Sequence, residues 1–327
     1  MLKVYDALDG TLLAHAGGET IGPRTIWIDL VKPTKDEERL VETVLGVQVP
    51  TREEMQEIEA SSRLYQEGGA HFMTGIVLHQ PMGTGEPAAP AATPVTFILA
   101  AGRLVTVRYE EPRAFPLFLA RAQKKDATCA NGVSVMVGLL ESIIDREADR
   151  IERIQSEVDK LGHGIFATHG AAMSSSKRFE TAIKQIGREG ELTQRSRDCL
   201  LSLDRLLTYL AHAMGERGDE KTLRARVKTA SRDVGSLADH VGYLSHKIGF
   251  LLDATLGMIN IEQNTIIKLF SVAAVALMPP TLIASIYGMN FKNMPELNWA
   301  WGYPMAIVMM LVSAIVPFIY FKKKGWL

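Results

Sequence analysis

Asn290 is the residue of this chain best suited to hold a metal ion without lending it any charge. It ends the run Tyr287-Gly288-Met289-Asn290, between two apolar stretches, Leu269 to Tyr287 and Tyr303 to Phe321, that contain no charged residue. A side-chain amide offers a neutral oxygen that can hold a hydrated cation through its waters. A small divalent cation gives up water reluctantly. A ring of neutral oxygens avoids stripping it, whereas a ring of carboxylates would bind more tightly and release slowly. Upstream, Asn264, Ile267, Ser271, Ala274, Met278, Thr281 and Ser285 recur at steps of three and four. That spacing puts them on one helical stripe, small or weakly polar in character. Leu269, Val272, Val275, Leu282 and Ile283 point elsewhere. Polar groups within a bilayer face a bundle interior or a water-filled path, and helix–helix packing selects the same small residues. The stripe alone fits either use.

The elements that must position these residues are the two apolar stretches. Each holds about 19 residues, about 28 Å as a helix, close to the ~30 Å hydrocarbon core of a bilayer. Backbone groups in lipid must be bonded within their own segment, so both stretches should be helices. The reading is a membrane-spanning hairpin with the loop Gly288 to Gly302 between its arms. One hairpin encloses nothing, so conduction requires several copies around an axis. Asn290 would then form a ring of amides, a role compatible with a helix C-cap. Gly288 allows a turn that a β-carbon would hinder, and Met289 packs to hold it. Pro279-Pro280 should bend the first arm. Lys322, Lys323 and Lys324 follow the second arm directly, which favours a cytoplasmic carboxyl end and places the loop outside. Trp299, Trp301 and Tyr303 read as interfacial anchors.

Met294-Pro295-Glu296-Leu297 follows the Gly-Met-Asn triplet, and the likeness continues through Trp299, Gly302-Tyr303-Pro304 and the ending Tyr320 to Leu327. Standing between two runs of spanning length, these motifs resemble the CorA family of divalent-cation channels. The match is close over roughly the last seventy residues and looser over the amino-terminal part. The resemblance implies an α+β membrane protein: a cytosolic α/β domain, a long helical stalk and two transmembrane helices per subunit in a homopentamer. It implies a selectivity filter at Gly288, Met289 and Asn290, with stalk helices lining the central axis. Asn264 corresponds to an asparagine ring near the cytosolic end of the pore. Ile267 and Phe270 fall where relatives place a hydrophobic constriction, which can gate by dewetting. Asn290 and Asn264 would hold the hydrated cation through its waters. The cargo implied is chiefly Mg²⁺, with Co²⁺ and Ni²⁺, moving down its electrochemical gradient. Cytosolic Mg²⁺ would close the channel at acidic groups between neighbouring soluble domains, with Asp and Glu of residues 133 to 160 and of the first domain as candidates. Glu296, the acid of the loop, would enrich cations at the mouth by its field. Lys292 departs from the acidic residue that many relatives carry two positions after the asparagine. Two other readings are a proton-coupled Zn²⁺ transporter of the same superfamily and a membrane-tethered enzyme or scaffold.

The rest of the chain is consistent with a transporter in an inner membrane, both termini cytoplasmic. Its partners would be copies of itself, lipid and divalent metal ions. The 327 residues carry a net charge of −1, which suggests no nucleic-acid surface. Residues 1 to 30 lack a signal-peptide pattern. Cys129 and Cys199 have neither pair nor metal spacing and fit a reducing compartment. The eight histidines form no i, i+4 metal pair. No phosphate-binding glycine loop and no nucleophile motif is present, so neither enzyme activity nor an organic cofactor is expected. Thr34 with Glu37 and Thr51 with Glu54 are capping boxes, opening helices that end near Gly46 and near Ser61. Asp9-Gly10, Gly68-Gly69 and Gly102 mark turns between short strands. These features give an α/β domain at 1–128. An antiparallel pair of long helices follows at 129–218, the first broken from Gly162 to Gly170 and the pair attracted by opposite charge or simply solvated. A stalk helix covers 219–268, in which Gly235, Gly242 and Gly249 suggest close backbone approach. The spans are 269–287 and 303–321, the outer loop 288–302 and the basic tail 322–327.

Overall fold

The computed structural model describes residues 1–15, 21–57, 59–81, 90–124, 129–166, 175–217, 221–289, 294–295 and 299–325. Two compact units divide the chain. The first holds Met1–Gly170 and Thr181–Leu251, and the second holds Ala171–Glu180 and Leu252–Leu327.

The first unit is built on seven strands: β1 (Leu2–Leu8), β2 (Thr11–Ala14), β3 (Thr25–Val31), β4 (Leu64–Glu67), β5 (Ala70–His79), β6 (Ala91–Ala100) and β7 (Arg103–Arg108). They form one mixed sheet in the order β2-β1-β3-β7-β6-β5-β4. Only β3 and β7 run parallel among these pairs, Trp27 opposite Leu104. Three hairpins close on two-residue turns at Asp9-Gly10, Gly68-Gly69 and Ala101-Gly102, with positive φ at both positions of each. That is the backbone of the tight turns that match strand twist.

Both faces of the sheet are buried, and neighbouring residues part company by the strand period of two. Tyr5, Trp27, Met73, Phe97 and Leu104 enter one core, while Val4, Ile28, Phe72, Ile98 and Val105 enter the other. The smaller core is roofed by α1 (Lys35–Leu45) and α2 (Arg52–Gln56). Both carry complete capping boxes, Thr34 with Glu37 and Thr51 with Glu54. The second helix ends at Gln56, short of Ser61, because Glu57 turns to an extended backbone (ψ 143°). A short α3 (Ala60–Arg63) follows.

The larger core receives α4 (Ala114–Ala122), α5 (Gly132–Phe166), α6 (Ser175–Arg217) and the first part of α7 (Lys221–Tyr287). The break expected from Gly162 to Gly170 begins later, since α5 runs on to Phe166; 167–170 lie outside the described residues. A helical glycine costs only about 1 kcal/mol, and Val158 and Ile165 continue the buried stripe across it. The charged attraction described between long helices joins α5 to α7. Arg226 grips Glu141 through two bonds of 2.9 and 2.6 Å, His240 Nε2 lies 3.0 Å from Gln155 Oε1, and Lys247 pairs with Asp159. Partner numbers rise together, so α5 and α7 run parallel.

A buried polar chain crosses the sheet. Arg108 donates to both carboxylate oxygens of Asp29 (3.0 and 2.8 Å), Thr106 donates to Asp29 Oδ1 (2.8 Å), and the Trp27 indole donates to Thr106 (3.0 Å). The side chains of Arg108 and Asp29 are 4% and 2% exposed. Burial, with the Asp29 charge nearby, pushes the Tyr5 hydroxyl up to about 12.

Within the first unit α7 buries Leu223, Val227, Val234, Val241, Leu244 and Leu251. Its other side is bare. A β-carbon added at Gly235, Gly242 or Gly249 would meet nothing within 4 Å, so among the described residues no backbone approaches those glycines. Tyr243 and Phe250 on the same side are 56% and 61% exposed. Gly132 is the opposite case. Its N–H donates to the Gly102 carbonyl, and an added β-carbon would stand 2.4 Å from backbone atoms of Arg103 and Leu104. Gly132→Ala should therefore cost about 1–3 kcal/mol and lower the thermal unfolding midpoint. Gly187→Ala, on an open face of α6, should gain up to about 1 kcal/mol. Differential scanning fluorimetry of the two variants checks the contrast.

Candidate functional site

The site residues lie on the second unit, whose elements are the 252–287 part of α7 and α8 (Gly302–Lys323). Both helices are long and apolar enough to cross a membrane, and only 6% of each most apolar window is buried. A core helix of that composition would be covered by its own chain. Here lipid or further copies must cover it instead.

Each arm buries one stripe, and the two mark the seam of the hairpin. Along 269–287 of α7 the covered or half-covered residues are Val272, Ala276, Pro279, Pro280, Ile283 and Tyr287; on α8 they include Gly302, Ala306, Met310, Ser313 and Pro317. Asn264, Ile267, Phe270, Ser271, Ala274, Met278, Thr281 and Ser285 are all exposed. At ~100° per residue their mean direction lies roughly 160° from the seam. Packing within the hairpin therefore does not account for the stripe. Ile267, Phe270 and Met278 are 61%, 71% and 69% exposed, so large apolar side chains share that face with the polar ones.

The stripe's polar chemistry is neutral. Thr281 donates its hydroxyl proton to the Leu277 carbonyl at 2.8 Å, which leaves its oxygen lone pairs as acceptors. Pro279 and Pro280 sit inside the assigned helix. Lacking N–H groups, they leave the carbonyls of Val275 and Ala276 without their usual helical donors. Among the described residues no three His, Cys, Asp or Glu side chains converge as a metal-binding set.

At the outer end of α7, Gly288 donates to the Ala284 carbonyl at 3.0 Å and Met289 to the Ile286 carbonyl at 3.2 Å. Gly288 is not among the glycines with positive φ. Its requirement is spatial, since a β-carbon would stand 3.0 Å from the Ala284 oxygen. Asn290, Lys292 and Glu296 lie outside the described residues. Trp299, Trp301 and Tyr303 are exposed. The last turn of α8 carries Lys322 and Lys323, favourably placed at a helix C-terminus, and Lys324 lies 5.3 Å from the Tyr320 ring.

The stripe also extends further back than Asn264. Asn260, Gly257 and Asp253 keep the three-four step and are exposed. The signal was present as continued spacing, but one glycine and one acid interrupt its small, weakly polar character.

Residues 23–323 match the profile of the family described as CorA-like Mg²⁺ transporter protein. The magnesium transport protein CorA of Salmonella typhimurium is 37% identical over 303 residues, 92% of either chain. Its namesake in Escherichia coli K12 matches to the same extent. Among solved structures, the complete CorA magnesium transporter of Methanocaldococcus jannaschii superposes with a TM-score of 0.77 at 17% identity, covering 100% of this chain and 99% of that one. The full-length CmaX protein gives 0.68 at 12% identity. A family profile spanning most of the sequence, relatives above a third identical over nearly all of it, and two exposed membrane-length helices after an α/β domain lead to one conclusion: the chain belongs to the CorA-like Mg²⁺ transporter family, whose members are transporters and not enzymes.

Proposed function

We propose that five copies of this chain assemble around a wet axis and admit divalent cations into the cell, chiefly Mg²⁺, with Co²⁺ and Ni²⁺ as further cargo. The observation that carries this reading is the bare stripe from Asn264 to Ser285, turned away from the hairpin seam. Relatives named as magnesium transport proteins supply the cargo. Residues 1–128 and 129–218 form the cytosolic part, 219–268 the stalk, 269–287 and 303–321 the spans, 288–302 the outer loop and 322–327 the tail. The inner membrane holds the spans, and both termini are cytoplasmic, a placement supported by the lysines that end α8.

In this reading Gly288, Met289 and Asn290 form the selectivity filter. Five Asn290 amides hold the hydrated ion through its water shell, because Mg²⁺ dehydrates reluctantly. Gly288 keeps the helix end tight enough to present them. Glu296 draws cations to the mouth. Thr281, Ser285 and Ser271 offer oxygens along the path, with Ala274 and Met278 between them. Ile267 and Phe270 form the constriction that gates by dewetting, and Asn264 makes a second amide ring below it. Entry is driven by the membrane potential, at ~2.3 kcal/mol per charge per 100 mV. Cytosolic Mg²⁺ bound at acidic groups between neighbouring soluble units closes the path.

Asn290→Ala should lower Mg²⁺ uptake into proteoliposomes at least tenfold while the variant elutes at the wild-type assembly size. Wild-type flux through that variant would overturn the filter assignment. Raising Mg²⁺ inside the vesicles to millimolar levels should reduce uptake, read with a fluorescent indicator. Flux indifferent to internal Mg²⁺ would remove the regulatory part of the proposal.

A further inference from the structure

The first unit holds a cavity of about 250 Å³ that ion conduction does not use. Four elements meet around it: the end of β5, the start of α4, the middle of α5 and the middle of α6. Five arginines line it: Arg113 at the start of α4, Arg146, Arg150 and Arg153 on α5, and Arg188 on α6. The three on α5 follow at steps of four and three, so one face of that helix presents three guanidinium groups. Three glutamates share the wall, which leaves arginine in excess.

The arginines are unevenly partnered. Arg146 pairs with Asp149 at 2.8 Å, Arg150 pairs with Glu147, and Arg153 donates to the Asp149 carbonyl at 3.3 Å. Arg113 and Arg188 have no ion pair among the described residues. At the floor, Glu147 is 1% exposed and faces Ser196 and Cys199 as well as Arg150; the Nε of Arg150 is buried and has no hydrogen-bond partner among the described residues. Buried polar atoms left unmatched are rare in native proteins. Burial pushes the Glu147 carboxyl up, opposed by Arg150 and by the Cys199 and Ser196 side chains. The wall's acids do not form a cation site, since no three His, Cys, Asp or Glu converge among the described residues.

We propose that this cavity binds a phosphate-bearing anion, with Arg150 at its floor and Arg113, Arg146, Arg153 and Arg188 closing over it. The planar fork of a guanidinium matches a phosphate through paired bonds, and an oxygen at the floor gives the Arg150 Nε an acceptor. The volume falls just below the ~300 Å³ at which clefts begin to take drug-sized ligands. Inorganic phosphate fits this size, and so do the terminal phosphates of a nucleotide. A ligand there ties β5, α4, α5 and α6 together, so occupancy stabilises the first unit by mass action. The assignment is independent of conduction, because binding is read on the purified protein whether or not it transports.

The test is equilibrium dialysis of the full-length protein in detergent against radiolabelled inorganic phosphate and, separately, ATP. Ionic strength is fixed and Mg²⁺ is absent; thermal unfolding is followed in parallel. The expected result is saturable binding of at least one of the two, with a raised unfolding midpoint. Tighter binding of phosphate identifies the free anion as the ligand, and tighter binding of ATP identifies nucleotide phosphates. Arg113→Gln with Arg188→Gln should weaken binding at least tenfold, with the ligand-free midpoint unchanged, because neither side chain holds an ion pair. Lys35→Gln with Arg39→Gln removes the same charge at α1 and should leave affinity intact. No saturable binding of either anion at millimolar concentration would overturn the proposal. So would wild-type affinity in the Arg113/Arg188 variant, or an equal loss in the Lys35/Arg39 variant.

Discussion

Lipid offers no hydrogen bonds and water tolerates little bare apolar surface, and the two faces of α7 live under both constraints at once. One face is covered within the chain, by the α/β unit and α5 along residues 223–251 and by the hairpin seam at Val272, Ala276 and Ile283. The other face is left bare, from the open glycines Gly235, Gly242 and Gly249 to the stripe ending at Ser285. An exposed face mixing Ile267, Phe270 and Met278 with Asn264 and Thr281 suits neither pure water nor pure lipid. In the proposed assembly, copies arranged around a narrow wet axis resolve the conflict, because apolar and polar positions then serve different levels of one path.

The chemistry of the proposed path follows from leaving charge out. A carboxylate ring in a low-dielectric surround would hold a divalent ion too firmly to pass it on. Amide and hydroxyl oxygens leave the ion its water. The same economy explains Thr281, whose proton goes to its own helix so that its oxygen faces outward as an acceptor. The arginine-lined cavity of the first unit follows the reverse logic, with charge gathered around a buried Arg150 Nε that lacks a partner among the described residues.

Much of this was legible in the sequence wherever the cause is local. Thr34 with Glu37, Thr51 with Glu54 and the turns at Asp9-Gly10 and Gly68-Gly69 each specify structure within four residues. The three-four step of the stripe is equally local. What covers each face is a long-range fact, and it was not legible. Trp27 pairs with Leu104 in a parallel step of the sheet, and Arg226 finds Glu141 on α5, not on the neighbouring α6. Spacing placed Asn264 and Val272 on different faces without saying which one is bare. Gly162 read as a helix end because its own preference is local, while the burial of Val158 and Ile165 that overrides it is not. The cavity's arginines, spread from 113 to 188, leave no sequence signature.

The central claim is that copies of the chain meet through the stripe and not through the seam. Single cysteines at Ser271 and at Val272, neighbours in sequence but on different faces, allow a direct measurement: treatment of membranes with a short thiol cross-linker, read as linked subunits on a denaturing gel. The native Cys129 and Cys199 are buried and give the background. Ladders of linked subunits from Ser271→Cys, with background linkage from Val272→Cys, are the predicted result. The reverse pattern, or no linkage from Ser271→Cys, would contradict the account.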